Sequence, residues 1–419
     1  MRVGVYPGSQ RPGNGGGYSW VQEQLNVFLS APADGHHGGH SFVVLHPSVT
    51  RRQVLSSHVE IVPCRRPLGW RMLHAARRVH GLRYTGSQEG WLKRAAARLR
   101  LDLLFCLDSL DCPLVDIPCV VPVFDLQHIL QPFFPEVSAH GEWTWRESYF
   151  SHRLRRAAAV ITPTQVGKRE VVHFYGLPPS RVRVIPYFGS RLSSALPANP
   201  GEVLARYAVT PGYLFYPANF WPHKNHVTLL LALRHLRETY GLDPRVVLVG
   251  DDRGTLDFVW QKASELGVLS QIRYLGFVHE SVLASLYHHA AALVFLSFFG
   301  PGNIPPLEAF ALGCPAILSD VPAAREQAGE AALYFRPDDP VELAEKIATV
   351  LRDPVMRKTL VTRGRQRGQM YTPKVYWSGV LELLNDLSPM LRTFPPGGLY
   401  FERRRSLGGR IVSTLVGRL

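Results

Sequence analysis

Short runs of β-forming residues alternate with helical patterns along almost the whole chain, and that alternation limits the possible folds more than any other feature. In the first half the runs are "RVGVY", "SFVVLH", "VEIVPC", "LDLLFCLD", "CVVPVFD", "AAVITPT" and "RVRVIPY". Helical patterns such as Tyr18 to Ser30 and Trp91 to Arg100 lie between several of them. The segment "GSRLSSALPANPGE", residues 189–202, is rich in Ser, Pro and Gly, lacks periodicity and reads as a linker. Alternation then resumes with "YLFYPAN", "RVVLVGDD", "IRYLGFV", "ALVFLSFF", "PAILSD" and "ALYFRP", ending in the helical "DPVELAEKIATVLRD". Strands separated by helices imply parallel sheets covered on both faces. At 419 residues the chain can hold two such units, each with its own core. The expectation is an α/β protein with two doubly wound domains, residues 1–195 and 196–375, facing each other across a cleft. Residues 376–419 are expected to form a return helix and a basic tail.

In such sheets ligands bind beyond the carboxyl ends of the strands. The richest candidate there is "GPGNIPPLEAFALGCPAILSD", from Gly300 to Asp320, directly after the apolar run Leu293 to Phe299. Gly300 and Gly302 permit unusual backbone angles, and Pro301 stops the strand. Asn303 is a candidate N-cap, and Pro305 and Pro306 suit a first helical turn. Leu307, Phe310, Ala311 and Cys314 are spaced for a buried helix face that stops near Gly313. The amino end of this helix, at Gly302, Asn303 and Ile304, is expected to offer free N–H groups to an anion, phosphate above all. Glu308, one turn in, is expected to reach a polar group beside that phosphate.

Three other segments point into the same cleft. "PGNGGGYSW" fails as a dinucleotide fingerprint, because with Gly13 and Gly15 as the first two glycines the third position is Tyr18. A glycine loop that includes Gly16 and Gly17 is still expected to face the cleft. "YPANFWPHKNHVTLLLAL" puts Asn219 and Lys224 ahead of an amphipathic helix, where an ammonium could meet a diphosphate. "VFDLQHILQPFFP" sets Asp125 and His128 at a strand end, the usual place for catalytic groups in this architecture, although such residues also make turns. Phe133, Phe134, Trp143, Trp145, Tyr149 and Phe150 either line an acceptor site or pack a core. "DGHHGGH" offers His36, His37 and His40 but no acidic support for a metal, so no metal site is expected.

The net charge of +14 calls for an anionic partner, either nucleic acid, a membrane surface or a phosphorylated substrate. The basic residues are scattered and match no nucleic-acid motif, which argues against nucleic acid. Five cysteines, Cys64, Cys106, Cys112, Cys119 and Cys314, match no zinc spacing and read as buried free thiols. No basic-then-apolar leader opens the sequence, and prolines interrupt its longest uncharged stretch, so a cytoplasmic protein is expected. The tail "FERRRSLGGRIVSTLVGRL" patterns as a basic amphipathic helix, and "WLKRAAARLR" offers a second. Such helices either rest on an anionic membrane or pack on their own domain.

Together these segments resemble the retaining family-4 glycosyltransferases of the GT-B fold, which consist of two Rossmann-like domains. The resemblance is strongest in "YPANFWPHKNH", "VFDLQHILQPFFP", "AAAVITPTQVGKREVVHFYG" and "SFFGPGNIPPLEAFALGCPAILSD". It implies transfer of a hexose from a nucleotide-sugar to a glycan or lipid-linked acceptor. Mannose is the first expectation, so the donor would be GDP-mannose, with a UDP-hexose second and no cofactor or metal. It further implies that Glu308 binds the nucleotide ribose, and that Lys224 with Asn219 meets the diphosphate. The departing phosphate would accept the acceptor's proton. Two positions depart from the family. The first of its two glutamates falls on Gly300, so Asn303 or the Gly302 backbone would have to substitute. Phe124 stands where many relatives carry histidine, leaving His128 as the candidate for that role. A catalytically silent scaffold, and an epimerase or phosphorylase on the same fold, are the alternatives.

Overall fold

The computed structural model describes residues 1–8, 16–64, 90–113, 115–189 and 192–393. The first sheet is built from β1 (Arg2–Tyr6), β2 (Ser41–His46), β3 (Gln53–Val54), β4 (Val59–Pro63), β5 (Leu103–Cys106), β6 (Cys119–Pro122), β7 (Ala159–Thr162) and β8 (Val182–Val184), in the order β3-β4-β2-β1-β5-β6-β7-β8. Every pairing is parallel except the short β3–β4 edge, which the sequence pattern did not announce. The second sheet, β9 (Leu214–Pro217), β10 (Val246–Val249), β11 (Ile272–Tyr274), β12 (Ala292–Phe295), β13 (Ala316–Ser319) and β14 (Ala332–Phe335), is wholly parallel in the order β11-β10-β9-β12-β13-β14. Central strands such as β5, β10 and β12 are buried at every position, as strands covered on both faces must be. The two doubly wound units expected from the alternation are therefore present.

Six helices position the cleft: α1 (Gly16–Ser30), α2 (Glu142–Arg156), α3 (Gln165–Tyr175), α4 (His226–Tyr240), α5 (Ile304–Leu312) and α6 (Pro373–Leu391). Residues 189–202, read from sequence as an unpatterned linker, instead contribute to two short helices, Leu192–Ala195 and Pro200–Ala205. Both pack on the helix Glu280–His289 of the second domain, and Leu192 and Leu204 are buried. Two apolar anchors suffice there where helical periodicity is too short to read. After the second sheet, α6 returns to the first domain. Its Tyr376 hydroxyl donates to Gln24 Oε1 (2.8 Å), Trp377 Nε1 donates to the His36 carbonyl (2.6 Å), and Asn385 meets His40 (3.0 Å). "DGHHGGH" thus serves as a seat for the return helix. The basic tail lies outside the described residues. Among those described, no group of side chains forms a metal site, and no helix is long and apolar enough to cross a membrane.

One expectation about the cysteines is corrected. Cys106 and Cys112 are joined as a disulfide, with Cα atoms 5.8 Å apart, while Cys64, Cys119 and Cys314 are free. The turn after β5 is drawn back toward the strand by Tyr149, which bonds the Cys112 backbone, and by Arg153 Nε, which donates to the Cys112 carbonyl (2.7 Å). Those long-range contacts bring the two sulfurs together.

Candidate active site

In the second sheet the strand order reverses direction between β9 and β12, and crevices form at such switch points. Lys224 ends a 3-10 turn, Pro222–Lys224, that follows β9. Its Nζ lies 3.5 Å from Ser297 Oγ, which follows β12, and 5.3 Å from the Phe295 ring centroid. Asn225 holds the turn in place. It adopts a left-handed conformation (φ 60°), which asparagine tolerates better than most residues, and its amide donates to the carbonyls of Leu296 (3.3 Å) and Pro337 (2.7 Å). Burial lowers the Lys224 pKa to about 8, against the opposing pull of Asp125 and Glu136. Asn219 is committed locally: its Oδ1 accepts from Asp251 N (2.9 Å), tying the loop after β9 to the one after β10.

The glycine loop follows β12, which ends at Phe295, four residues before the expected stop. Gly300 has φ 157°, and a Cβ there would sit 2.3 Å from Asn303 Oδ1. The Asn303 amide therefore occupies the space that a side chain at position 300 would need. Asn303 does not cap α5 as expected, because its Nδ2 donates to the Gly300 carbonyl (3.3 Å). Nor is its N–H free, since it donates to Gln327 Oε1 (3.2 Å). Gly302 is pressed against the first domain: a Cβ would lie 2.7 Å from Pro163 and 3.0 Å from Tyr187. Within α5, which starts at Ile304 with Pro305 and Pro306 in its first turn, the buried face uses Leu307, Ala309, Phe310 and Leu312, while Ala311 is exposed. Glu308 is buried, and Oε2 accepts from the Tyr287 hydroxyl (2.7 Å), a partner that no local pattern indicated.

The first domain meets this loop through α3. The Thr164 hydroxyl donates to the Pro301 carbonyl (2.6 Å) and accepts from Gly167 N (3.1 Å). Glu326 of the second domain accepts from Gln165 N (2.6 Å) and Val166 N (2.9 Å), so a carboxylate from one domain satisfies the helix start of the other. A second contact lies beside Lys224. Glu136 Oε1 pairs with His223 Nδ1 (2.5 Å), and Gln131 Nε2 donates to the Phe298 carbonyl (3.1 Å). Burial opposes ionisation of Glu136, but its bonds to His223 outweigh this and hold the carboxyl below its usual range.

Asp125 and His128 do not act as a pair. Asp125 is half-exposed, 3.5 Å from Arg146, and its charge is felt at Lys224 across the cleft. His128 is fully buried in the first domain, stacked on Phe150 and 3.5 Å from Glu147, with Nδ1 unpartnered. Burial, helped by the Arg146 charge and opposed by Asp125, lowers its pKa to about 4. The expected cleft-facing catalytic histidine is instead a neutral core residue, because the turn after β6 rolls it under α2. The aromatic group divides likewise: Trp145, Tyr149 and Phe150 are core, whereas Phe133 and Trp143 are exposed. Gly16 opens α1, where an added Cβ would meet nothing within 4 Å, and Gly17 is half-buried behind it. Gly13 and Gly15 lie outside the described residues.

The family profile described as glycosyl transferases group 1 matches residues 207–367, which take in the whole second sheet. The match covers most of the second domain, which is therefore similar to the glycosyl transferases group 1. O-antigen chain mannosyltransferase B of Escherichia coli is 27% identical over 242 residues, covering 57% of this chain and 63% of its own length. O-antigen chain mannosyltransferase RfbU of Salmonella typhimurium is 26% identical over 216 residues, 51% of this chain and 56% of its own length. The chain thus spans less than two thirds of these relatives. Among solved structures, WaaG, a glycosyltransferase involved in lipopolysaccharide biosynthesis, superposes with a TM-score of 0.65 at 14% identity, over 91% of this chain and 99% of its own. That likeness establishes the fold as GT-B.

Proposed function

We propose that the protein is a retaining glycosyltransferase that moves a hexose, mannose in first place, from a nucleotide-sugar to a glycan or lipid-linked acceptor in cell-surface polysaccharide assembly. The observation that carries this reading is the lysine at the switch point of a domain similar to the glycosyl transferases group 1, where an anionic leaving group would lie. Lys224 stabilises charge on the departing diphosphate, and Glu308, steadied by Tyr287, accepts the ribose hydroxyls. The Asn303 amide, lodged where a side chain at position 300 would go, takes over the sugar contacts of the missing carboxylate. Asp125 acts from the acceptor side, and Ile304 and Gly302 line the donor's edge. The similarity to two mannosyltransferases favours mannose, so GDP-mannose comes before a UDP-hexose, with no metal or other cofactor. The enzyme works in the cytoplasm. Its basic surfaces, including the exposed Arg94 and Arg98 of the helix Gly90–Arg98, favour the inner membrane face when the acceptor is lipid-linked.

A thermal-shift screen against GDP-, UDP-, dTDP- and ADP-sugars tests the reading, since a ligand bound only by the native state raises its apparent stability. One nucleotide series should stabilise the protein, and product analysis should then show glycosyl transfer. Absence of stabilisation by all four series would sink the proposal. Donor binding without turnover on a broad acceptor panel would instead leave a silent scaffold.

A further inference from the structure

His223 immediately precedes Lys224 in the same 3-10 turn, yet nothing above gives it a chemical task. Its partner comes from the other domain. Glu136, on the short helix Pro135–Ser138, gathers His223 N (3.3 Å), His223 Nδ1 (2.5 Å) and Gln127 Nε2 (3.3 Å) on a single oxygen, Oε1. An ionised carboxylate can only accept, so Nδ1 must carry the imidazole proton. Burial and the neighbouring Lys224 charge keep the ring neutral, against the opposing pull of Glu136 on the facing helix and of Asp125 on the loop after β6. A neutral ring protonated at Nδ1 has a lone pair at Nε2. Among the described residues that nitrogen makes no hydrogen bond and is absent from the buried polar atoms left without a partner, while 12% of the His223 side chain stays accessible. An accessible acceptor thus stands one residue from the cation assigned to the diphosphate, and the facing domain fixes its tautomer.

We propose that His223 Nε2 accepts a hydrogen bond from a sugar hydroxyl beside the Lys224 ammonium, with Glu136 of the facing domain as the positioning residue. This rests on the glycosyl-transfer reading. Beside an ammonium that holds the phosphates, the groups within reach are hydroxyls of the transferred sugar or of the acceptor, and both are O–H donors that suit a bare imidazole nitrogen. Because the carboxylate and the imidazole come from different domains, the acceptor atom is oriented only when the two are docked. Hydroxyl recognition and domain docking are therefore one event.

The test uses the full chain with GDP-mannose and UDP-glucose, each with and without acceptor, and GDP and UDP as nucleotide probes. His223→Phe keeps the ring volume and removes Nε2. It should lower kcat/KM roughly tenfold to thirtyfold, the worth of one well-placed hydrogen bond, with nucleotide affinity within about threefold. A loss seen in donor hydrolysis as well as transfer assigns the hydroxyl to the donor sugar, and a loss in transfer alone assigns it to the acceptor. Glu136→Gln should move the acid limb of kcat/KM to lower pH, because it removes a charge that raises the imidazole pKa. A merely structural contact would leave that limb in place. Nitrogen-15 NMR of histidine-labelled protein should find His223 protonated at Nδ1 in the wild type. Protonation at Nε2, or unchanged kcat/KM in His223→Phe, would overturn the proposal. If the wild type neither hydrolyses nor transfers from either donor, the glycosyl-transfer reading falls, and the tautomer is still decided separately.

Discussion

The two sheets have nearly the same course and each offers one crevice, yet the side chains at the two crevices differ. In the first, between β1 and β5, Gly8 has φ 78° and a Cβ there would lie 2.9 Å from Asp108 Cβ and 3.2 Å from Asp111 Oδ2. In the second, between β9 and β12, the ammonium of Lys224 faces Ser297. The ammonium in the second crevice would attract a diphosphate, which supports the proposal that the donor lies there. Topology supplies the crevice twice. The side chains at the strand ends decide what each can hold.

The largest effect expected of this contrast is at Lys224. Lys224→Ala should lower turnover roughly a hundredfold or more, because the charge it stabilises develops in the transition state. Asp108→Asn, in the opposite crevice, should change donor affinity by no more than about threefold. The lowered pKa of Lys224, about 8, adds a pH signature. The ammonium is lost as pH rises through that value, so kcat/KM for donor should fall above it, and Lys224→Arg should push the limb upward. Equal losses in the two crevices, or a few-fold loss at Lys224, would break the contrast.

Next in size is Glu308. A carboxylate accepting ribose hydroxyls contributes about 2 kcal/mol, or some thirtyfold in Kd. Glu308→Gln should show that loss by calorimetry with the nucleoside diphosphate alone. Tyr287→Phe, which removes the hydroxyl that Oε2 accepts from and keeps the carboxylate, should lose less. Unchanged affinity in Glu308→Gln would remove this residue from the site.

The placement of these two residues was legible in the sequence because it follows from local pattern, a lysine just before a long helix and a glutamate one turn into a proline-led one. The strands were legible for the same reason, as apolar runs between helices. What escaped depends on docking. The partner of His223 lies 87 residues away in the chain, and the carboxylate that satisfies α3 is 161 residues from Gln165. Periodicity reports which face of an element is apolar, and it carries no information about which other element supplies a polar partner. The left-handed turn at Asn225 was hidden differently, since an asparagine before a helix reads as an ordinary cap. His128 shows the converse failure, in which a catalytic residue type at a catalytic address is turned inward by a tightly packed turn.

That failure makes the third prediction. His128→Phe keeps an aromatic ring against Phe150 and gives up the contacts at Nε2 with Glu147 and Tyr175. Activity should stay within about fivefold and stability within about 1–2 kcal/mol of the wild type. The folded pKa, about 4, lies below the ordinary 6.5, so the unfolded chain takes up the proton first. Stability from this group is complete above the ordinary value and is lost as pH falls toward 4. The variant should therefore be less acid-labile than the wild type in urea melts. A hundredfold loss of turnover with an intact fold would restore the histidine to the chemistry.

The smallest effect tests whether acidity extends along the first domain's side of the cleft. Glu170, half-buried on α3, makes no hydrogen bond or ion pair among the described residues. Burial and the Asp125 charge push its pKa up to about 7, against the pull of Arg169. An unfolded glutamate titrates near 4.5. Between the two values the folded state holds the proton more tightly than the unfolded chain, so stability falls as pH rises through that window and the whole penalty is present above it. Glu170→Gln removes the titration. It should be close to neutral at pH 4.5 and stabilising at pH 8 by on the order of 1–2 kcal/mol, read from denaturant midpoints. Asp125→Asn should give a smaller gain of the same sign, because it removes one of the two causes and leaves burial. A gain from Glu170→Gln that is the same at both pH values would mean that its carboxyl is ordinarily ionised. The acidity facing Lys224 would then be confined to Asp125 and Glu136, and the contrast between the two domains would narrow to the residues beside the lysine itself.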